Sequence, residues 1–333
     1  MAQDEQLEQL ESGLARTFKD LFSGAAGGVA QVLIGQPFDI VKVRLQTTTE
    51  YANAADCAAK IWKNEGAAAF YKGTLTPLIG IGACVSVQFG AFHYARRAFS
   101  TQNTKNNSSP TLSYTQYYLS GAFAGVANTF LSSPIEHIRI RLQTQPHDPA
   151  KRLYAGPLDC IRKLTAHAGF GRGVYRGVGV TTLREAQAYG FWFLTFEWLM
   201  NETLARRRKA HVESATGIAE YLPSSSSARD DPADLFAAHK SAESVVTRAS
   251  IPTYLVAFYG GLAGEALWIA SYPFDVLKSK LQSDGFGEGK QRYKSAVDCF
   301  WQTWRGEGAR GFWKGIGPTL LRAMPVSAGT FVV

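Results

Sequence analysis

One ten-residue pattern occurs three times, and it constrains the fold more than any other feature of the chain. It reads PFDIVKVRLQ from Pro37, PIEHIRIRLQ from Pro134 and PFDVLKSKLQ from Pro273. Each copy has an acid two residues after the proline, bases at the fifth and seventh following positions, and a closing glutamine. Two glycines stand thirteen and nine residues ahead of each proline: Gly24 and Gly28, Gly121 and Gly125, Gly260 and Gly264. Downstream come an Asp-Cys pair (Asp56-Cys57, Asp159-Cys160, Asp298-Cys299) and an aromatic-base-glycine triplet ending at Gly73, Gly177 and Gly315. A chain with this self-similarity is three copies of one supersecondary unit that bury their apolar faces on each other.

Hydropathy supplies the setting. Leu21–Phe38, Gly73–Tyr94 and Asn106–Ile135 are free of charge, and each is long enough to cross a hydrocarbon core of ~30 Å as a helix. Thr181–Phe196, Ala249–Phe274 and Gly315–Val333 are weaker candidates because each contains one or two charged residues. Such charges are expensive in a bilayer and face a bundle interior or a water-filled cavity. Two spans per repeat predict an all-α protein of six transmembrane helices, with a short amphipathic helix in each repeat. The repeated cysteines lack CxxC spacing and read as small buried residues of that helix, not as a metal site or a disulfide framework.

The formal charge of +8 is compatible with nucleic acid, anionic lipid or anionic solutes. No uniform basic run marks a nucleic-acid face. The N-terminus, MAQDEQLEQLESGLAR, carries four acids before its first arginine. It is neither a basic presequence nor a secretory signal, so organelle targeting is internal. The predicted organisation is an acidic tail over 1–17, repeats over 18–105, 106–205 and 251–333, and a serine-rich, disordered insert over 206–250.

Prolines 37, 134 and 273 are expected to kink the odd-numbered spans inward. The acid and first base of each motif then converge near the bundle axis. Three acids and three bases can close a ring there: Asp39 with Arg139, Glu136 with Lys278, and Asp275 with Lys42. Such a ring would be both a plug and a latch.

With these motifs the sequence resembles the mitochondrial carrier family. The family's proline-x-acid-x-x-base-x-base pattern is intact in all three copies, and its acid-glycine…aromatic-base-glycine pattern is present in copies one and three. The resemblance implies three pseudo-threefold repeats, each with a short matrix helix, in the mitochondrial inner membrane. It implies the same ring pairings at the matrix side, braced from beneath by Gln46, Gln143 and Gln282. At the opposite side the family carries an aromatic-acid-x-x-base pattern. Here FHYAR puts His93 at the acid position and Arg96 at the base position, while FEWLM keeps Glu197 but has Met200 where a base belongs. The third copy is expected beyond Val333, so the resemblance implies a weak outer gate and a truncated last helix.

Aligning the repeats on Gly73, Gly177 and Gly315 brings Gly80, Arg184 and Arg322 to one level, seven residues on in each. Both arginines are too deep for interfacial snorkels. A guanidinium can grip a carboxylate with two parallel hydrogen bonds, and Glu185 can pair with an ammonium, so together they suit a zwitterion. A purely structural pair of Glu185 with Arg184 or Arg322 is the competing reading. These residues also resemble the branch of the family that carries carnitine, acylcarnitines, ornithine and related amino acids, and the helix-two run TPLIGIGACVSVQFG is most similar to fungal amino-acid carriers. Cys84 lies about where an ornithine carrier has an acid, and Gly80-Ile81 leaves space that an acylcarnitine would also fit.

The expected function is therefore an inner-membrane amino-acid carrier working by exchange or uniport, with an acylcarnitine carrier second. A non-transporting, carrier-like adaptor is the alternative of another class. No covalent chemistry, metal or cofactor is called for. The expected partners are the small-molecule substrate and membrane lipid, such as cardiolipin, around a monomer.

Overall fold

A computed structural model describes residues 29–48 except 31, together with 50–106, 111–145, 152–221, 247–285 and 291–322. The described residues contain no strand. The long helices are α1 (32–47), α3 (Leu75–Lys105), α4 (Tyr114–Thr144), α6 (Val178–Tyr221) and α7 (Thr253–Ser283). Shorter ones, α2 (Ala54–Glu65), α5 (Pro157–Val174) and α8 (Ala296–Glu307), follow the three motifs. A last helix, α9, begins at residue 316 and is described to 322.

Local sequence chemistry sets these boundaries. Asn53 and Ser295 cap α2 and α8 by accepting from the amides of Asp56 and Asp298, and Ser113 forms a capping box with Gln116 at α4. Gly66 and Gly308 end α2 and α8 at positive φ, and Gly169 bends α5 in the same conformation, which disfavours any side chain. Helices α4 and α7 run through Pro134 and Pro273 unbroken. At 31 residues each, α3, α4 and α7 are about 46 Å long.

Their outer faces are apolar and exposed: Ile79 on α3, Phe130 on α4, Leu183 on α6 and Phe258 on α7 are all open. This much uncovered hydrocarbon is expected of a lipid-facing surface. Among the described residues, one stretch, Ala67–Lys105, is long and apolar enough by length and composition to cross a membrane. Its mean hydropathy reaches 1.6, with 17% of that window buried.

The helices meet through small residues. A Cβ at Gly121 or Gly125 of α4 would run into the backbone of α6 at Tyr189 or Glu185. Backbones can approach that closely only where side chains are absent. The glycines of the aromatic-base-glycine triplets do something different. Gly73 lies against Arg139 of α4, Gly177 against Leu281 of α7, and Gly315 against the Lys42 carbonyl of α1, at 3.3, 3.2 and 3.1 Å from where a Cβ would stand. Repeat one thus touches two, two touches three, and three returns to one.

Each repeat buries an equivalent small core under its motif helix: Ile40, Cys57 and Ile61; Ile138, Cys160 and Leu164; Leu277, Cys299 and Phe312. The three cysteines have no exposure, and burial pushes their thiols up to about 11. They are packing residues.

The expected insert begins later than the sequence suggested. α6 continues to Tyr221, so residues 206–221 are helical. No proline occurs in RRRKAHVESATGIAEYL before Pro223, and Arg206 pairs with Glu202 one turn back at 2.9 Å. The serine-rich part, 222–246, lies outside the described residues, as do the tail 1–17 and the end of the chain from 323.

Candidate functional site

All three expected ion pairs are present where α1, α4 and α7 converge. Lys42 Nζ is 2.7 Å from Asp275, Arg139 Nη2 is 2.7 Å from Asp39, and Lys278 is in contact with Glu136. These side chains are largely buried, and removing one partner from such a pair is costly because the other charge is left unmatched.

The predicted solute-contact arginines are part of the same network. Arg322 Nη1 lies 2.6 Å from Asp39 Oδ1. Arg184 contacts Glu185 directly, and reaches Asp275 at 3.4 Å and Glu136 at 3.6 Å. Every ring acid therefore touches its ring base and one deeper guanidinium. The structural Arg184–Glu185 pair is present, but it is one contact among three made by that guanidinium.

Trp268 of α7, which nothing in the sequence singled out, lies among the cations. Lys42 Nζ sits 4.1 Å from its ring centroid, with the guanidinium carbons of Arg322 and Arg184 at 5.1 and 5.5 Å. An indole face attracts all three electrostatically. Glu265, three residues earlier, acts electrostatically on Arg322. Within this cluster, Lys42, Arg139, Lys278, Arg184 and Arg322 are balanced by Asp39, Glu136, Asp275, Glu185 and Glu265.

Gln36 was also missed, although an amide immediately before the motif proline, inside a charge-free run, was the available signal. It accepts from Arg139 Nη2 at 2.5 Å and donates to the Lys72 carbonyl at 2.7 Å. Tyr272, at the same place in repeat three, donates to the Lys314 carbonyl at 2.9 Å.

Four expectations need correction. The glutamines are not equivalent: Gln46 donates to Asp275 at 3.1 Å, Gln282 reaches Thr181 and the Arg176 carbonyl, and the Gln143 amide nitrogen has no partner among the described residues. Gly80 leaves no free space, because the side chain of Ile135 occupies the place its Cβ would take. Ile81 is half-buried, and Cys84 one turn along is within electrostatic reach of Glu136 and Glu185. At the far end Glu197 does have a base. Both terminal nitrogens of Arg248, from the short turn Arg248–Ser250 before α7, hold it. Met200, in the place of the expected base, is buried with Leu204 and Ile251. His93 makes ring contacts with Phe89 and Phe92.

Fourth, the acid missing from repeat two is supplied by its neighbour. In repeats one and three the motif's second base and the triplet's base share one glutamate. Glu65 bridges Arg44 and Lys72, and Glu307 bridges Lys280 and Lys314. In repeat two, Arg176 instead binds Asp284 of repeat three at 2.7 Å, and Arg141 donates to the Asp284 carbonyl at 2.8 Å. Partial burial opposes ionisation of Glu65, but hydrogen bonds from Arg44 and Lys72 outweigh it and hold its carboxyl down at about 2. Its folded-state pKa lies below the ordinary value near 4.3. The resulting stabilisation is complete above about pH 5 and is lost as pH falls toward 2. Melting curves of wild type and Glu65→Gln should therefore differ most at neutral pH and converge on acidification; a gap that widens in acid would refute the assignment.

A sequence profile described as mitochondrial carrier protein matches residues 14–103, 110–206 and 249–333, one match for each repeat. The chain belongs to the mitochondrial carrier family. Among its relatives, the glutamate/glycine mitochondrial carrier ymc1 of Schizosaccharomyces pombe is 42% identical over 327 residues, covering 97% of this chain and 94% of the relative. The mitochondrial glycine transporter YMC1 of Saccharomyces cerevisiae is 40% identical over 318 residues, 95% of this chain and 89% of its own. The mitochondrial basic amino acids transporter of Bos taurus is 36% identical over 316 residues, 94% and 88% respectively. This carrier is a multi-pass protein of the mitochondrial inner membrane, and a transporter by family.

Proposed function

We propose that the chain carries a small neutral amino acid across the mitochondrial inner membrane by alternating access. The observation that carries this reading is the double engagement of Arg184. It pairs with Glu185 at the predicted contact level and reaches two acids of the ring, Glu136 and Asp275. The five bases and five acids of the central cluster balance, which suits a solute of no net charge. Relatives named for glycine, glutamate and basic amino acids support the solute class. Cys84, where a second ammonium would want an acid, argues for a monoamino solute.

The mechanism follows from competition for guanidinium groups. A solute carboxylate arriving at Arg184 or Arg322 takes hydrogen bonds now made to Asp275, Glu136 or Asp39. The solute ammonium turns to Glu185 or Glu265. A ring acid that loses its guanidinium is left with a single base, which weakens the ring at the moment the site is filled, and the matrix side opens. Trp268 keeps the displaced cations on its face, so they are not left without a partner. In this reading, α1, α3, α4, α6, α7 and the helix beginning at 316 are the six spans, and α2, α5 and α8 lie on the matrix side.

The carnitine reading is not favoured. Gly80 is filled by Ile135, and the relatives named above are amino-acid carriers.

The test is uptake of labelled glycine, glutamate, arginine, ornithine, carnitine and acylcarnitine into proteoliposomes preloaded with each. Saturable glycine uptake, faster when glycine or another small amino acid is inside, is the expected result. Uptake of carnitine alone would replace the solute. No uptake of any compound by folded protein would overturn the carrier in favour of an adaptor.

A further inference from the structure

A second feature lies at the end of the helices away from the ring. A cavity of about 1370 Å³ opens between the C-terminal part of α3, the start of α4 and residues 201–208 of α6. Its wall carries four arginines, Arg96, Arg97, Arg208 and Arg248, with His93 beside them. No aspartate or glutamate is among the described lining residues. Arg248 is matched by Glu197 just outside the wall. Arg96 and Arg97 are not: among the described residues neither guanidinium has an ion pair or a hydrogen bond.

Arg97 is exposed and Arg96 half-buried, so water hydrates both, but a concave wall with four arginines and no acid among its described lining residues carries a positive potential that concentrates anions. The positive end of the 31-residue helix α4 faces the same space through Ser113 and Tyr114. A single amino-acid carboxylate would satisfy one guanidinium fork and fill a small part of the volume. A phosphate offers three acceptor oxygens and up to two charges, and guanidinium geometry matches it well. We propose that this vestibule is a binding site for a multiply charged phosphate compound, separate from the central solute site. The phosphate could be that of a soluble compound or of a lipid headgroup. Bound there, it ties α3, α4 and α6 together at the mouth through which the solute enters.

Inorganic pyrophosphate is the probe. Full-length protein in nanodiscs of neutral phosphatidylcholine would be titrated at constant ionic strength, with melting temperature as the readout, so that the result does not depend on which solute is carried. A saturable rise is expected. Arg97→Gln should weaken the apparent Kd at least about tenfold, Arg97→Lys less, and Arg162→Gln, exposed on α5, not at all. A response that chloride reproduces at equal ionic strength, or one unchanged in Arg97→Gln, overturns the proposal. In a second arm cardiolipin is added to the nanodiscs. Loss of the pyrophosphate response in the wild type assigns the site to a lipid phosphate, and an unchanged response assigns it to a soluble one.

Discussion

Arg184→Ala is expected to reduce uptake at least about 30-fold while leaving folded protein in the membrane. The substitution removes three contacts at once, those to Glu185, Glu136 and Asp275. Truncating one partner of a buried, hydrogen-bonded charge pair costs about 2–5 kcal/mol, and every 1.4 kcal/mol is about tenfold. Part of that cost falls on Glu185, which has 1% exposure and would sit beside Glu136 without its cation. Arg184→Lys separates charge from geometry: an ammonium keeps the charge but cannot span three carboxylates. It should recover a fraction of the lost uptake and not the whole. Equal uptake by wild type and Arg184→Ala, with matched amounts of folded protein in the vesicles, would remove the arginine from the solute site.

Asp275→Lys has the second large effect. It places a fourth cation among Lys42, Lys278 and Arg184, all of which now act on that carboxylate. Uptake should fall to near background. Combining it with Lys42→Asp restores an opposite-charge pair in reversed order, and some transport should return. Recovery stays incomplete for two reasons visible in the structure. Gln46 donates to Asp275 at 3.1 Å and cannot donate to a lysine ammonium. Trp268 holds the Lys42 ammonium at 4.1 Å and has no attraction for an aspartate. The measurement is a double-mutant cycle on the uptake rate. Strict additivity of the two losses would break the proposed pairing.

The ring was legible because its residues recur: a charge pattern in three copies at fixed distance from a proline leaves few arrangements. The same recurrence located Cys57, Cys160 and Cys299, and the turns at Gly73, Gly177 and Gly315. What the sequence hid are residues that occur once. Trp268 is an aromatic inside an apolar run, indistinguishable there from a packing residue. Arg248 holds Glu197 across 51 residues and belongs to no motif. Gly80 reads as space from sequence alone, since only the packed neighbour shows that Ile135 fills it. Charge position is inherited from the repeat, whereas occupancy of a gap depends on the facing helix.

The salt bridge from Arg176 to Asp284 carries a consequence for modularity. Repeats one and three each contain the glutamate that clamps their own two bases, so each is self-sufficient at that point. The middle repeat borrows its carboxylate from the third. Exchanging repeat two for that of a relative would therefore join a unit to a neighbour chosen for a different partner, while exchanging two and three together would carry the clamp along. The smallest transplantable block at this end of the molecule is a pair of repeats, and selection at position 284 acts on both.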